Sequence, residues 1–193
     1  MNRLCVYCGS NTGSRPEYAQ GAKHLAKVLV DKNIGLVYGG ASIGVMGVIA
    51  DTVLEQGGEV IGVIPEVIVD KEVAHAGLSD LRIVGSMHER KALMAELSDG
   101  FVALPGGLGT IEELFEIVTW AQLGIHRKPC GLLNICQYYD KLAEFINHAV
   151  SQRFVKEVTR SMLIVEDNPE KLIDGFESYR APEVKKWIEL ENT

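Results

Sequence analysis

Phe101-Val102-Ala103-Leu104-Pro105-Gly106-Gly107-Leu108-Gly109-Thr110-Ile111-Glu112-Glu113-Leu114 decides the fold. A short apolar run stops at Pro105, a glycine loop follows, and a helical pattern opens directly after it. Ile111, Leu114, Phe115 and Val118 fall at i, i+3, i+4 and i+7, the spacing of one buried helix face over residues 110–123. Strand, tight turn and helix make half of a βαβ unit. The same grammar recurs outward in both directions. Continuous apolar runs occupy residues 4–8, 35–38, 60–64, 81–84, 101–104, 130–135 and 162–165, as expected of strands covered on both faces. Helical stretches at 17–31, 45–56, 86–97, 110–123, 138–150 and 169–176 lie between most of them. The alternation predicts an α/β protein: a single-domain, Rossmann-like, doubly wound, mostly parallel sheet of about seven strands with helices on both faces. That domain is expected over residues 1–180, and residues 181–193 read as a charged terminal helix or tail.

Sheets of this kind bind ligands beyond the carboxyl ends of their strands. Four of the expected strands end there in small, polar or charged residues. The first is followed by Gly9-Ser10-Asn11, the second by Gly39-Gly40-Ala41-Ser42-Ile43-Gly44-Val45-Met46-Gly47, and the fourth by Gly85-Ser86-Met87-His88-Glu89-Arg90-Lys91. The fifth is followed by the loop from Pro105 to Glu113. Glycine turns that open helices let backbone N–H groups approach a phosphate, and the helix dipole favours the anion. Neither glycine loop fits the commoner fingerprints. Val45 stands where a P-loop needs lysine. Glu112 stands where the last glycine of GxGxxG belongs. An NTPase and an ordinary NAD dehydrogenase are therefore unsupported, whereas a single phosphate group at this rim is favoured.

Two readings of Glu113 stay open on local pattern. Thr110-Ile111-Glu112-Glu113 has the form of a capping box, in which Glu113 would bond the Thr110 N–H. The same carboxylate is also one helical turn, about 5 Å, beyond the glycine amides, within reach of a sugar attached to the phosphate. Ser86-Met87-His88-Glu89 is a second capping box. Arg90 and Lys91 fall in the first turn of its helix, where cations are mildly unfavourable unless an anion or carboxylate is near. A solvated basic pair is the alternative. His75 reads as a loop residue, and His88 flanks Arg90 at the rim. No G-x-S-x-G elbow occurs, and no lysine has a context that points to a Schiff base.

Composition narrows the classes further. The 193 residues are 47% hydrophobic and 23% charged, as in a globular domain large enough to fold without a disulfide or metal. The net charge of −7 argues against a binding surface for polymeric nucleic acid, which needs clustered Lys and Arg. No apolar run reaches ~18 residues, so no membrane span is expected. The first residues run directly into a strand pattern rather than a secretory leader, which predicts a cytoplasmic protein. Of four cysteines, Cys5 and Cys8 form a CxxC, but strand residues three apart point to opposite faces. They read as buried thiols, and no second pair completes a metal site.

The quoted loop, Pro105-Gly106-Gly107-Leu108-Gly109-Thr110-Ile111-Glu112-Glu113, resembles the PGGxGTxxE signature of the Lonely Guy (LOG) family. Gly39 to Gly47 resembles that family's GGxxxGxMG loop, Met87 to Lys91 its third motif, and Cys8-Gly9-Ser10 its first strand end. The resemblance covers residues 3–176. It implies a cytokinin riboside 5′-monophosphate phosphoribohydrolase, which cleaves the N-glycosidic bond of an N6-modified adenosine monophosphate, and in many members AMP, to free base and ribose 5-phosphate. It implies no cofactor, a nucleoside 5′-monophosphate substrate and a homodimer. By motif position it makes Arg90 and Glu113 the catalytic pair. Gly9, Ser10, Gly39, Gly40, Met87, His88, Lys91, Gly106, Gly107, Gly109 and Thr110 become candidates for phosphate or nucleotide binding. The competing reading is a non-catalytic carrier of a nucleotide or phosphorylated cofactor. Such a carrier needs the loops but not the carboxylate.

Overall fold

A computed structural model describes residues 1–69, 74–78 and 80–183. The charged helix or tail expected over residues 181–193 falls mostly on residues 184–193, outside the described part. Seven strands, β1 (Arg3–Tyr7), β2 (Gly35–Tyr38), β3 (Val60–Pro65), β4 (Asp80–Val84), β5 (Gly100–Ala103), β6 (Cys130–Leu133) and β7 (Leu163–Glu166), form one sheet in the order β4-β3-β2-β1-β5-β6-β7. Every neighbouring pair is parallel. The order runs outward from β1 in both directions, so the chain reverses its winding between β1 and β5. A crevice opens at that point in a doubly wound sheet.

The helices are α1 (Pro16–Asp31), α2 (Gly44–Glu55), α3 (Met87–Leu97), α4 (Leu108–Leu123), α5 (Asp140–Ser151), the single turn α6 (Glu157–Arg160) and α7 (Pro169–Ser178). On one face α1, α2 and α7 pack a core containing Leu25, Leu29, Ile49, Val53 and Leu172 against Leu4 and Val6 of β1. On the other face α3, α4 and α5 pack Met94, Leu114, Ile117 and Ile146 against Phe101 and Leu132. Both faces are covered, which is why the strand sequences are continuous rather than alternating. Only the edges loosen: four residues of β4 are half-buried and one is exposed.

Cys5 and Cys8 belong to opposite cores, as period-two geometry requires. Burial raises the pKa of both thiols, as it pushes that of Cys130 up to about 12. Cys136 is the exposed exception. The helix after β5 starts earlier than its apolar pattern suggests, at Leu108, with Gly107 as its N-cap. Its C-terminus follows the common rule: Gly124 caps it at φ 78° in the left-handed region.

Candidate active site

The loops after β1 and β5 meet at the winding reversal. Gly9 N–H donates to the Pro105 carbonyl at 3.3 Å. A Cβ on Gly106 would lie 2.8 Å from Gly9 N and still closer to Thr110 Oγ1, so only glycine permits this approach. From the other side of the sheet, Tyr138 and Tyr139 brace the β5 loop. Their hydroxyls donate to the Gly106 and Leu104 carbonyls, each at 2.6 Å.

The two glycine loops, similar in sequence, do different work. The first amides of α2 are occupied within the protein: Val45 and Met46 N–H both donate to the Gly9 carbonyl, at 3.0 and 3.4 Å. That loop holds the β1 turn in place rather than presenting its amides. The first turn of α4 has no side-chain cap, and Gly107, Leu108, Gly109 and Thr110 all line a cleft of about 230 Å³. A Cβ built on Gly107 or Gly109 would meet nothing within 4 Å. The missing side chains therefore leave open space over amides that have no intrahelical acceptor. Such an amide cradle suits an anion, because the helix dipole favours negative charge there.

An ion pair lines the same cleft. Arg90 Nη1 is 3.2 Å from Glu113 Oε1 and Arg90 Nε donates to the Val63 carbonyl at 3.1 Å. Arg90 is 6% exposed and Glu113 9%, and both line the cleft. Gly39 makes this possible, because a Cβ there would collide with Arg90 Nη2. The capping-box reading of Glu113 is corrected here. With the N-cap at Gly107, Thr110 is the third helical residue and Glu113 the sixth, too far along to bond the cap. The buried stripe of α4 is Thr110, Glu113, Leu114, Ile117, Val118 and Ala121, while Phe115 stands 37% exposed. Glu113 is thus carried inward by the stripe itself.

The second capping box holds in its Ser86 half, while the Glu89 carboxylate reaches one residue further back, to Gly85. Ser86 Oγ accepts from Glu89 N–H at 3.1 Å, and Glu89 Oε2 accepts from Gly85 N–H at 2.8 Å. This cap fixes the start of α3 and hence where Arg90 points.

Of the candidate residues, Gly9, Ser10, Gly39, Arg90, Gly107, Gly109, Thr110 and Glu113 line the cleft. Gly106 lies directly behind it. Gly40, at φ 80°, packs against Ile64 and Leu81 instead. Met87 and His88 are exposed and are not among the lining residues. Lys91 turns to α4, with Nζ 2.6 Å from Glu112 Oε1 and 3.0 Å from Glu116 Oε2. The apolar wall is made by Val6, Met46 and Met94; Met46 is the methionine of the GGxxxGxMG loop, and the other two have no motif to mark them. His75 is a loop residue, as expected, but a buried one: its ring reaches Asp51 at 2.9 Å, and its backbone N–H donates to the Gly40 carbonyl. Among the described residues no cluster of His, Cys, Asp or Glu could hold a metal ion.

A cleft with open helix-terminal amides and, one turn along the same helix, a compensated carboxylate has the chemistry to take a phosphorylated sugar. Residues 46–176 match the family model described as "possible lysine decarboxylase". The chain is also 49% identical over 179 residues to the cytokinin riboside 5′-monophosphate phosphoribohydrolase LOG of Oryza sativa subsp. japonica, covering 93% of this chain and 74% of that relative. The chain belongs to the LOG family. A LOG relative from Arabidopsis thaliana, again a cytokinin riboside 5′-monophosphate phosphoribohydrolase, is 45% identical over the same share of this chain and 82% of its own. Solved structures share the LOG chain's fold. The molybdenum cofactor carrier protein of Chlamydomonas reinhardtii superposes with a TM-score of 0.69 over 91% of this chain and 96% of its own. A molybdenum cofactor binding protein from Rippkaea orientalis gives 0.66 over 92% and 96%. Both are 20% identical, a likeness of fold alone.

Proposed function

We propose that this protein hydrolyses the N-glycosidic bond of adenosine 5′-monophosphate or its N6-modified forms, releasing free base and ribose 5-phosphate. The observation that carries the proposal is the buried Arg90–Glu113 pair lining the same cleft as the open first-turn amides of α4. In this reading the first-turn amides of α4, with Gly107 and Gly109 leaving room, hold the 5′-phosphate. Ser10 flanks it. The ribose then lies over Glu113.

Breaking a ribosyl bond develops positive charge on C1′ and the ring oxygen. A carboxylate beside them stabilises that charge. Glu113 also accepts a proton from the attacking water, whose oxygen bonds to C1′. The C1′–N bond pair leaves with the base nitrogen, which takes up a proton from solvent as Glu113 returns to solvent the one it accepted, so the reaction consumes one water and no net proton. Arg90 keeps the carboxylate oriented, and its bond to the Val63 carbonyl keeps Arg90 oriented in turn.

A carrier would need the cradle but gains nothing from burying a carboxylate against it, which supports turnover over storage. A lysine-dependent decarboxylase is not supported either, since no lysine is among the described residues lining the cleft. The same reading includes a homodimer working in the cytoplasm. Leu108, 86% exposed, and Phe115 on α4 are the apolar surface that supports a second copy. Among the described residues no helix is long and apolar enough to cross a membrane.

Chromatographic product analysis with AMP and with isopentenyladenosine monophosphate tests the activity. Free base and ribose 5-phosphate are expected from at least one of them. Saturable binding with no release from either would reject hydrolysis in favour of a binding protein.

A further inference from the structure

We propose, resting on the phosphoribohydrolase reading for the identity of the anion, that Tyr138 is a positioning residue: its hydroxyl locks the Gly106–Gly107 peptide and so aims the Gly107 N–H at the 5′-phosphate. The lock is made from outside the cleft. Tyr138 Oη donates to the Gly106 carbonyl at 2.6 Å, and Tyr138 is not among the residues that line the cleft. It lines a neighbouring hollow of about 280 Å³ together with Tyr18 and Gly106.

The Gly106 carbonyl and the Gly107 N–H belong to one peptide unit. That unit is trans and planar, so the two groups point in opposite directions. A hydroxyl that holds the carbonyl therefore turns the N–H away from Tyr138. Gly107 is the N-cap of α4, and its N–H is the first of the four that a helix leaves without an internal acceptor. Glycines stand on both sides of this peptide, and neither has a Cβ to bar other dihedral angles. Without the hydroxyl it is the peptide of the loop most free to turn. A carbonyl that accepts a bond also polarises its own peptide, which makes the N–H a better donor.

The chain bends sharply to present Tyr138. Between β6 and α5, Cys136 and Gln137 sit at φ 52° and 62°, two successive left-handed residues that both carry a Cβ. Such a pair persists only where its surroundings over-determine it. Asn134 Oδ1 accepts from Tyr139 N–H at 2.7 Å, and Asn134 Nδ2 donates to Asp140 Oδ1 at 2.7 Å. The Tyr138 ring meets Tyr18 and Tyr139 edge to face, with centroids 5.5 and 4.9 Å apart. Tyr138 is thus clamped on two sides although 41% exposed.

Tyr139 supplies the internal comparison. Its hydroxyl makes a bond of equal length to the Leu104 carbonyl. The nitrogen of that peptide belongs to Pro105, which has no N–H to aim. The Tyr139 bond steadies the loop and orients no donor.

The test compares Tyr138→Phe and Tyr139→Phe with the wild type. Steady-state hydrolysis of AMP gives KM and kcat, titration with inorganic phosphate gives the affinity of the cradle, and the Gly107 amide resonance reads the peptide in the free protein. Tyr138→Phe should raise KM and the phosphate Kd about tenfold, the scale of one hydrogen bond to a charged group. Its kcat should stay within about twofold, because that bond is made equally in ground and transition states. Its Gly107 resonance should shift while its melting temperature stays close to that of the wild type. Tyr139→Phe should do the reverse: a lower melting temperature, since a buried carbonyl loses its donor, with KM, phosphate Kd and the Gly107 resonance unchanged. An unchanged KM in Tyr138→Phe, a fall in kcat in place of a rise in KM, or equal rises of KM in the two variants would overturn the proposal. If the wild type hydrolyses no nucleotide, the functional reading fails, and the Gly107 resonance still decides the lock: a shift in Tyr138→Phe alone upholds it, and no shift overturns it.

Discussion

Glu113 is the residue on which sequence and structure part most usefully. Local pattern offered a capping carboxylate or a reacting one, because Thr110-x-x-Glu113 satisfies both. The choice turns on where α4 begins, and Gly107 rather than Thr110 caps it. One further signal lay in the sequence. Counting back from Ala121, Val118, Ile117 and Leu114, the inward stripe continues through Glu113 and Thr110. A carboxylate on a buried stripe demands a partner. Local pattern does not name that partner, because Arg90 comes from another helix and its approach depends on the absent side chain of Gly39; only the family resemblance pairs the two. This gives a sharp prediction. Gly39→Ala places a methyl against the guanidinium. Hydrolysis should fall at least tenfold, the cost of ~1.4 kcal/mol in transition-state stabilisation, while far-ultraviolet circular dichroism stays unchanged. A Gly39→Ala variant with wild-type kcat/KM would mean that the Arg90 position does not matter.

At the scale of elements, β1 to β7 and the long helices were legible because both faces of the sheet are covered and each strand is a short apolar block. Boundaries moved by one or two residues, as at α4. The single turn α6 carries no pattern long enough to detect. The glycine loops were legible as loops but not as different devices. The α2 amides bond the Gly9 carbonyl, and those of α4 open into the cleft. That distinction is made by the tertiary contact between loops, which one sequence does not display. It predicts opposite outcomes for two alanines. Gly109→Ala meets no protein atom and replaces glycine inside a helix, so it should keep or raise thermal stability, by up to ~1 kcal/mol. It should raise KM for the nucleotide, since the methyl fills the cradle. Gly106→Ala collides with Thr110 and Gly9 and should lower the melting temperature. A Gly109→Ala variant with unchanged KM would remove the phosphate from that loop.

At the scale of the whole molecule, the sheet order explains why the site lies where it does. The chain reverses between β1 and β5, and the loops that leave those two strands build the cleft, with α3 and β3 bringing Arg90 from the side. The motif residues that line the cleft were readable from their position at strand ends. Val6 and Met94 were not, since apolar wall residues look like any other core. The most direct measurement is hydrolysis and nucleotide binding by Glu113→Gln beside the wild type. Glutamine keeps the shape and a hydrogen bond to Arg90 but removes the charge. The account predicts AMP affinity within a few-fold of wild type, held by the cradle, and base release reduced at least ~100-fold, the scale of a lost acid–base group. Base release at the wild-type rate would contradict it.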